Sequence, residues 1–170
     1  MKQLEHALKQ NLTFVPAVVG FPIKGNKVLL MHRIKTSSGL GQDLVSGIGG
    51  KVGDEEMFKG ESHEEALVRE TKEEVGIVPI EFKESGNVTF IWTTKPEWNM
   101  KVKIYTINSW EGVPKQTEVA LPVWHNKNNL PKENMWEDNI HWVPKVLAGE
   151  IVDAVFLYDE SKRLSEYLFK

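Results

Sequence analysis

Residues Gly49 to Ile77 read GGKVGDEEMFKGESHEEALVRETKEEVGI, and no other stretch of the chain restricts its fold as tightly. The second half carries helix punctuation at both ends. Ser62 is placed to cap an N-terminus, with Glu65 three residues on to complete a capping box, and Gly76 follows the last turn as a left-handed C-cap. On that helix Glu70, Glu73 and Glu74 stand at i, i+3 and i+4 and share one face. Like charges at that spacing repel by about 0.2–0.5 kcal/mol per pair in an isolated helix. A divalent cation among them would turn the repulsion into binding, because Mg²⁺ takes hard oxygen ligands, usually one or two carboxylates with waters and substrate phosphates. From the helix alone, a solvated acidic face is an equal alternative.

The wider spacing favours the cation. Glu61, seven residues, Arg69-Glu70, Thr71-Lys72, Glu73-Glu74, then Val75-Gly76-Ile77 resembles the Nudix box, G-x5-E-x7-R-E-U-x-E-E-x-G-U with U apolar. Thr71 stands where an aliphatic residue is usual, and ten residues instead of five separate Gly50 from Glu61. The turn before the helix is therefore expected to bulge, with Asp54, Glu55 and Glu56 near the mouth of the site and segment 53–59 either a lid or a decoration.

The rest of the chain bounds the setting. Its 170 residues suit one domain with a sizeable core. A formal charge of −3 leaves no broad basic footprint for duplex nucleic acid. Cysteine is absent, which excludes disulfides and thiolate chemistry and is compatible with a reducing cytosol, so a cytoplasmic location is expected. No apolar run is long enough to predict a membrane span, and no signal-peptide core opens the sequence.

Periodicity predicts a short helix over 1–10, with Leu4, Ala7 and Leu8 as its stripe, and a hairpin of strands 14–23 and 28–32 around Lys24-Gly25-Asn26-Lys27. Residues 36–42 read as a Gly/Ser loop. Segment 45–50 leads into the motif, and strands are expected at 80–82, 87–93, 101–106 and 120–124, with a turn at 95–97 and a loop at 114–118. A second helix should begin near Glu137 or Asp138, be kinked or restarted at Pro144, and end at Gly149; a hairpin of 151–158 and 163–168 closes the chain. Helices packed on a mixed sheet follow from this order.

The segment Met135-Trp136-Glu137-Asp138-Asn139, with Gly49-Gly50-Lys51-Val52, Phe90, Trp124 and the closing hairpin, resembles the 8-oxo-dGTP diphosphatases of the MutT kind from about Val18 onward. The resemblance implies an α+β Nudix fold, an α/β/α sandwich around a central mixed sheet, as one domain over 1–170 with residues 1–13 as a helical extension. It implies Mg²⁺-dependent hydrolysis (Mn²⁺ as a substitute) of oxidised purine nucleoside triphosphates such as 8-oxo-dGTP to monophosphate and pyrophosphate, by a monomer acting on a small nucleotide. Gly49 through its carbonyl, Glu70, Glu74 and Glu118 would hold metal. Glu73, Glu74 and Glu118 would be the catalytic carboxylates, and Glu118 lies one residue off the family position. Ser46, Lys51, Phe90, Met100, Trp136, Asp138 and Asn139 would line the substrate, while Arg69 would pair with Glu61 to brace the loop or touch phosphate.

A Trp face stacks on a base with about 1–3 kcal/mol, and carboxylates or amides read its edge. Set against the family it resembles, Asn139 stands in place of an acid and Ser46 in place of an Asn, so the choice of base is open. Trp136 and Trp142 also fit as core aromatics. His63 and His141 lack metal-ligand spacing. Hydrolysis of another nucleoside diphosphate derivative, such as a dinucleotide polyphosphate, nucleotide sugar or RNA 5′ end, remains an alternative, as does a non-catalytic nucleotide-binding domain. The intact Glu70, Glu73 and Glu74 set argues against the last.

Overall fold

The computed structural model describes residues 2–35 and 43–170, so the Gly/Ser loop expected at 36–42 lies outside the described residues. In chain order the elements are α1 (Lys2–Leu8), β1 (Val15–Lys24), β2 (Lys27–Arg33), β3 (Val45–Ser46), β4 (Ile48–Lys51), α2 (His63–Val75), β5 (Val78–Trp92), β6 (Met100–Glu111), β7 (Ala120–Asn126), α3 (Asn139–Leu147), β8 (Val152–Tyr158) and β9 (Leu164–Phe169). The sheet runs β3-β2-β1-β6-β5-β8-β9, with β4 on β1 and β7 on β2. It is mixed: β1–β6 and β5–β8 are parallel, whereas β1–β4, β5–β6 and β8–β9 are antiparallel.

Strand alternation sends side chains to two covered faces. Ala17 and Phe21 of β1, Val102 and Ile104 of β6, and Ala154 and Phe156 of β8 meet Trp142, Val143 and Val146 of α3. On the other face Val18, Tyr105 and Ile107 pack under Ala66 and Leu67 of α2. Val155 and Leu157 of β8 meet Leu4 of α1 there. The result is an α+β sandwich, helix layers on both sides of a mixed sheet.

The first hairpin is brief. Only Ile23↔Val28 and Lys24↔Lys27 pair before the strands part, β1 to join β4 and β6, β2 to join β7 and β3. Two corrections concern β5 and β6. The separate strands expected at 80–82 and 87–93 are one strand, Val78–Trp92, carried through by register shifts between Pro79 and Glu81, Glu81 and Phe82, and Glu84 and Gly86. Gly86 at φ +111 marks a bulge there, not a turn, and a Cβ on it would meet the Val152 carbonyl oxygen at 1.8 Å. Strand β6 extends to Glu111 because the longer β5 offers it partners beyond Thr106. Pro144 lies inside α3, which continues to Leu147. Trp142 is a core aromatic, 4% exposed and edge-on to Phe21.

Candidate active site

Helix α2 is built as its caps dictate. The Ser62 side chain accepts from the Glu65 N–H, Glu65 returns the bond to the Ser62 N–H, and Gly76 ends the helix at φ +75. Ala66, Leu67, Thr71 and Val75 go under the sheet, which turns the acidic set toward β4. Glu74 is 7% exposed. Its Oε2 accepts from the Gly49 N–H at 3.1 Å, and its Oε1 lies 3.6 Å from the Arg33 guanidinium. Burial pushes its carboxyl up to about 7 against the opposing pull of Arg33. Glu70 is raised by the same desolvation, opposed by Arg69. Its carboxylate lies against Gly50, where a Cβ would stand 2.5 Å from Oε1, so only glycine leaves room for it. Glu73 is exposed, 3.4 Å from Arg69.

Arg69 ties the preceding loop to the helix. Nε donates to Glu61 Oε2 at 3.0 Å and Nη2 to Glu61 Oε1 at 2.6 Å, a fork-to-fork pair; Nη1 donates to Glu70 at 2.9 Å and Nη2 to the Lys51 carbonyl at 3.1 Å. This bond holds the Glu61 carboxyl below its ordinary range. The extra residues before the helix fold back: a short 3-10 turn at Glu56–Phe58 lays the Phe58 ring 4.2 Å from the Arg69 guanidinium, and the Gly53 N–H donates to Glu61 at 2.8 Å. Asp54, Glu55 and Glu56 are exposed on that fold. Between Phe58 and Lys72 a surface depression of about 750 Å³ follows the outer flank of α2, lined by Glu64, Glu65, Val68, Arg69 and Glu73. Phe58 is its one aromatic, so it is a poor seat for a base.

The aromatic residues gather on the opposite face of the sheet. Phe90, Met100 and Trp136 are half-buried against the α3 core, together with Val19 and Trp98. Trp136 stands edge-on to Trp92 at 6.1 Å and to Tyr158 at 5.9 Å, and Phe90 lies 5.9 Å from Phe156. Asp138, 2% exposed, accepts at Oδ1 from the Tyr158 hydroxyl (2.5 Å) and at Oδ2 from Trp142 Nε1 (2.7 Å) and Asn139 Nδ2 (2.8 Å). Burial raises its carboxyl in opposition to these donors. Segment 45–51 joins the two halves: a Cβ on Gly47 would meet Val19 and Phe21 on the aromatic side, while the Gly49 N–H reaches Glu74 on the acidic side.

The remaining candidates stand further off. Ser46 pairs with Met31, whose side chain belongs to the cluster under α2, and its hydroxyl donates to the Gly47 carbonyl at 2.9 Å. Lys51 has an exposed side chain. Glu118 is exposed on the loop before β7. Its neighbour Thr117 fastens that loop to α2 by donating to the Glu74 carbonyl at 2.8 Å. Arg33, Thr117 and Tyr158 are site residues that sequence reasoning missed. Arg33 and Tyr158 arrive on paired strands and Thr117 on the loop before β7, and a single sequence carries no local signal of that.

Among the described residues no three His, Asp or Glu side chains are already gathered at ligating distance. The donor set nonetheless suits a hard divalent ion: three helical carboxyls, two of them raised by burial, with Glu70 seated where a Cβ on Gly50 would stand. No helix is long and apolar enough to cross a membrane among the described residues.

"Oxidized purine nucleoside triphosphate hydrolase" of Danio rerio is 33% identical over 109 residues, 64% of this chain, and the match spans 66% of that protein, just under two thirds of its length. The protein of the same name from Mus musculus is 27% identical over 129 residues, 76% of this chain and 79% of its own. The crystal structure of a mutator MutT protein from Bacillus halodurans superposes with a TM-score of 0.75 at 21% identity, covering 92% of this chain and 98% of that one, a likeness of fold. The NUDIX domain model matches residues 13–146, and the chain belongs to the Nudix family.

Proposed function

We propose that the protein hydrolyses purine nucleoside triphosphates, oxidised ones such as 8-oxo-dGTP among them, to the monophosphate and pyrophosphate, with Mg²⁺ as cofactor and Mn²⁺ as a substitute. One observation carries this reading: Glu70 and Glu74 are held against the Gly49–Gly50 backbone on one side of the sheet, while Phe90, Met100 and Trp136 offer aromatic and thioether surface on the other. The curated relatives bear a name of that activity.

Glu70 and Glu74 would hold the ion, with the Gly49 carbonyl beside them and Glu118 brought in by its exposed loop. Bound there, the ion supplies charge neutralisation for the polyphosphate and Lewis acidity at a phosphoryl oxygen. Glu73, exposed at the rim, is the carboxylate placed to take a proton from attacking water at Oε, with Glu118 the alternative acceptor. Arg69 keeps Glu61 and Glu70 in place. Lys51, with its side chain exposed next to Gly50, would contact a phosphate. Trp136 stacks on the base and Asn139 lies beside it; Ser46, off the aromatic face, contributes through the backbone turn at Gly47.

Pyrophosphate release with Mg²⁺ is the test, across 8-oxo-dGTP, 2-hydroxy-dATP, O6-methyl-dGTP, dGTP, dATP and a dinucleotide polyphosphate, with Glu74→Gln beside the wild type. Turnover of a purine triphosphate that the variant loses supports the proposal. Preference for the dinucleotide moves the protein to the alternative class of nucleoside diphosphate derivatives, and nucleotide binding without turnover of any substrate overturns the enzymatic reading.

A further inference from the structure

Two tryptophans stand edge-on to Trp92, and each arrives on a loop. Trp98 ends the short turn Pro96–Trp98 with its ring 5.1 Å from Trp92, and Trp136 follows the turn Lys132–Asn134 at 6.1 Å. The turn between β8 and β9 reaches both loops. Arg163 Nε forms an ion pair with Glu137 Oε1, and the Leu164 N–H donates to Glu137 Oε2 at 2.9 Å, so the carboxylate one residue after Trp136 is held at both oxygens. On the other loop, Lys162 Nζ lies 5.5 Å from the Trp98 ring. The turn is itself held in one shape. Asp159 Oδ1 accepts from the Ser161 and Arg163 N–H groups at 2.8 and 3.0 Å, and the Asp159 N–H donates to the Arg163 carbonyl at 3.0 Å. Arg163 is exposed and Glu137 half-buried, so water screens their pairing and it adds little to global stability. Its effect is local, because Trp136 lies in neither helix nor strand and a grip on Glu137 restricts the backbone beside it.

We propose that Glu137 and Arg163 are positioning residues that latch the Trp136 loop to the closing hairpin and so fix the face that Trp136 offers a purine. The inference rests on the proposed nucleotide site and names what holds its stacking wall in place. A loop released from the hairpin has to be ordered at each binding event, and that cost falls on the bound substrate and the transition state alike. It therefore appears in KM, with kcat little changed. A polyphosphate without a base engages only the acidic side of the sheet and does not feel the latch.

The experiment measures KM and kcat for dGTP and dATP with Mg²⁺, inhibition by inorganic tripolyphosphate, and binding of dGMP and dAMP by tryptophan fluorescence. Glu137→Gln keeps an oxygen for the Leu164 N–H and loses the charge, whereas Glu137→Ala loses both. Glu137→Gln and Arg163→Gln are each expected to raise KM by about threefold and Glu137→Ala by about tenfold, with kcat within about twofold of wild type. The double variant of Glu137→Gln and Arg163→Gln should be no worse than the worse single one, because both remove the same contact. Melting midpoints and tripolyphosphate inhibition should stay near those of wild type. An unchanged KM in Glu137→Ala overturns the inference and leaves the proposed activity standing. So does tripolyphosphate inhibition that weakens in step with the rise in KM, which marks a general loosening of the fold. Nucleotide binding without turnover removes the proposed activity alone, and the monophosphate affinities then read the latch by the same factors. A wild type that binds no nucleotide overturns both.

Discussion

Glu74 meets two demands that pull apart. Its place against Gly49 and Arg33 suits a cation ligand, and its burial makes the unliganded anion costly enough to raise the carboxyl to about 7. Glu74→Gln keeps the shape and removes the charge. At about pH 8 without metal, the variant is expected to melt no lower than wild type, while Mg²⁺-dependent turnover falls by about 100-fold or more; calorimetry and pyrophosphate release read the two effects separately. Arg69 is the opposite case. Its side chain is 14% exposed and that of Glu61 9%, so Arg69→Ala strands a mostly buried carboxylate and is expected to cost about 2–4 kcal/mol in denaturant unfolding. Arg69→Lys should recover little of this, because an ammonium cannot supply the fork. The spacing of Glu61, Arg69, Glu70, Glu73 and Glu74 was legible in the sequence because a helix turns chain distance into direction. Arg33 and Tyr158 were not: what places Arg33 by Glu74 and Tyr158 by Asp138 is the order of strands.

At the level of elements, α2 was readable from its punctuation, and Ser62, Glu65 and Gly76 act as their types require. Strand β5 was read as two pieces, 80–82 and 87–93, because the break Lys83-Glu84-Ser85-Gly86 between β-rich runs fits a turn and a bulge equally well. What separates them is the Val152 backbone packed on that glycine, contributed by a strand far along the chain. Gly86→Ala must place a Cβ within 1.8 Å of a carbonyl oxygen at a left-handed φ, and is expected to cost at least about 2 kcal/mol and lower the melting midpoint accordingly. The residues added before α2 are likewise no free lid in this structure, since Phe58 is seated on Arg69.

Over the whole molecule, the mixed sandwich was legible because strand and helix patterns alternate along the chain, whereas the early parting of β1 and β2 was not. That parting creates the β2–β7 pairing, in which His32 and His125 reach toward each other over the Leu30–Val123 pair. Their Nε2 atoms are 3.1 Å apart and their planes within 10°, so the rings lie end to end with one proton between them. Burial, then His32, lowers His125 below its ordinary 6.5. At His125 the native state therefore holds fewer protons than the unfolded chain once pH drops below about 6.5, and the stability this residue contributes is lost on acidification and regained above it. The buried Glu74 works in the opposite sense over the same range, so the His125 contribution is read as a difference: between about pH 8 and pH 5 wild type should lose melting temperature relative to His125→Gln.

Leu4 is buried against Ile91, Val155 and Leu157, and its N–H donates to Glu166 at a separation of 162 residues. Helix α1 leaves the ribosome well before β8 and β9 and is thus one of the last of these elements to find its seat. It must wait through the synthesis of every element between with its apolar stripe uncovered, and its docking reports that β8 and β9 have arrived.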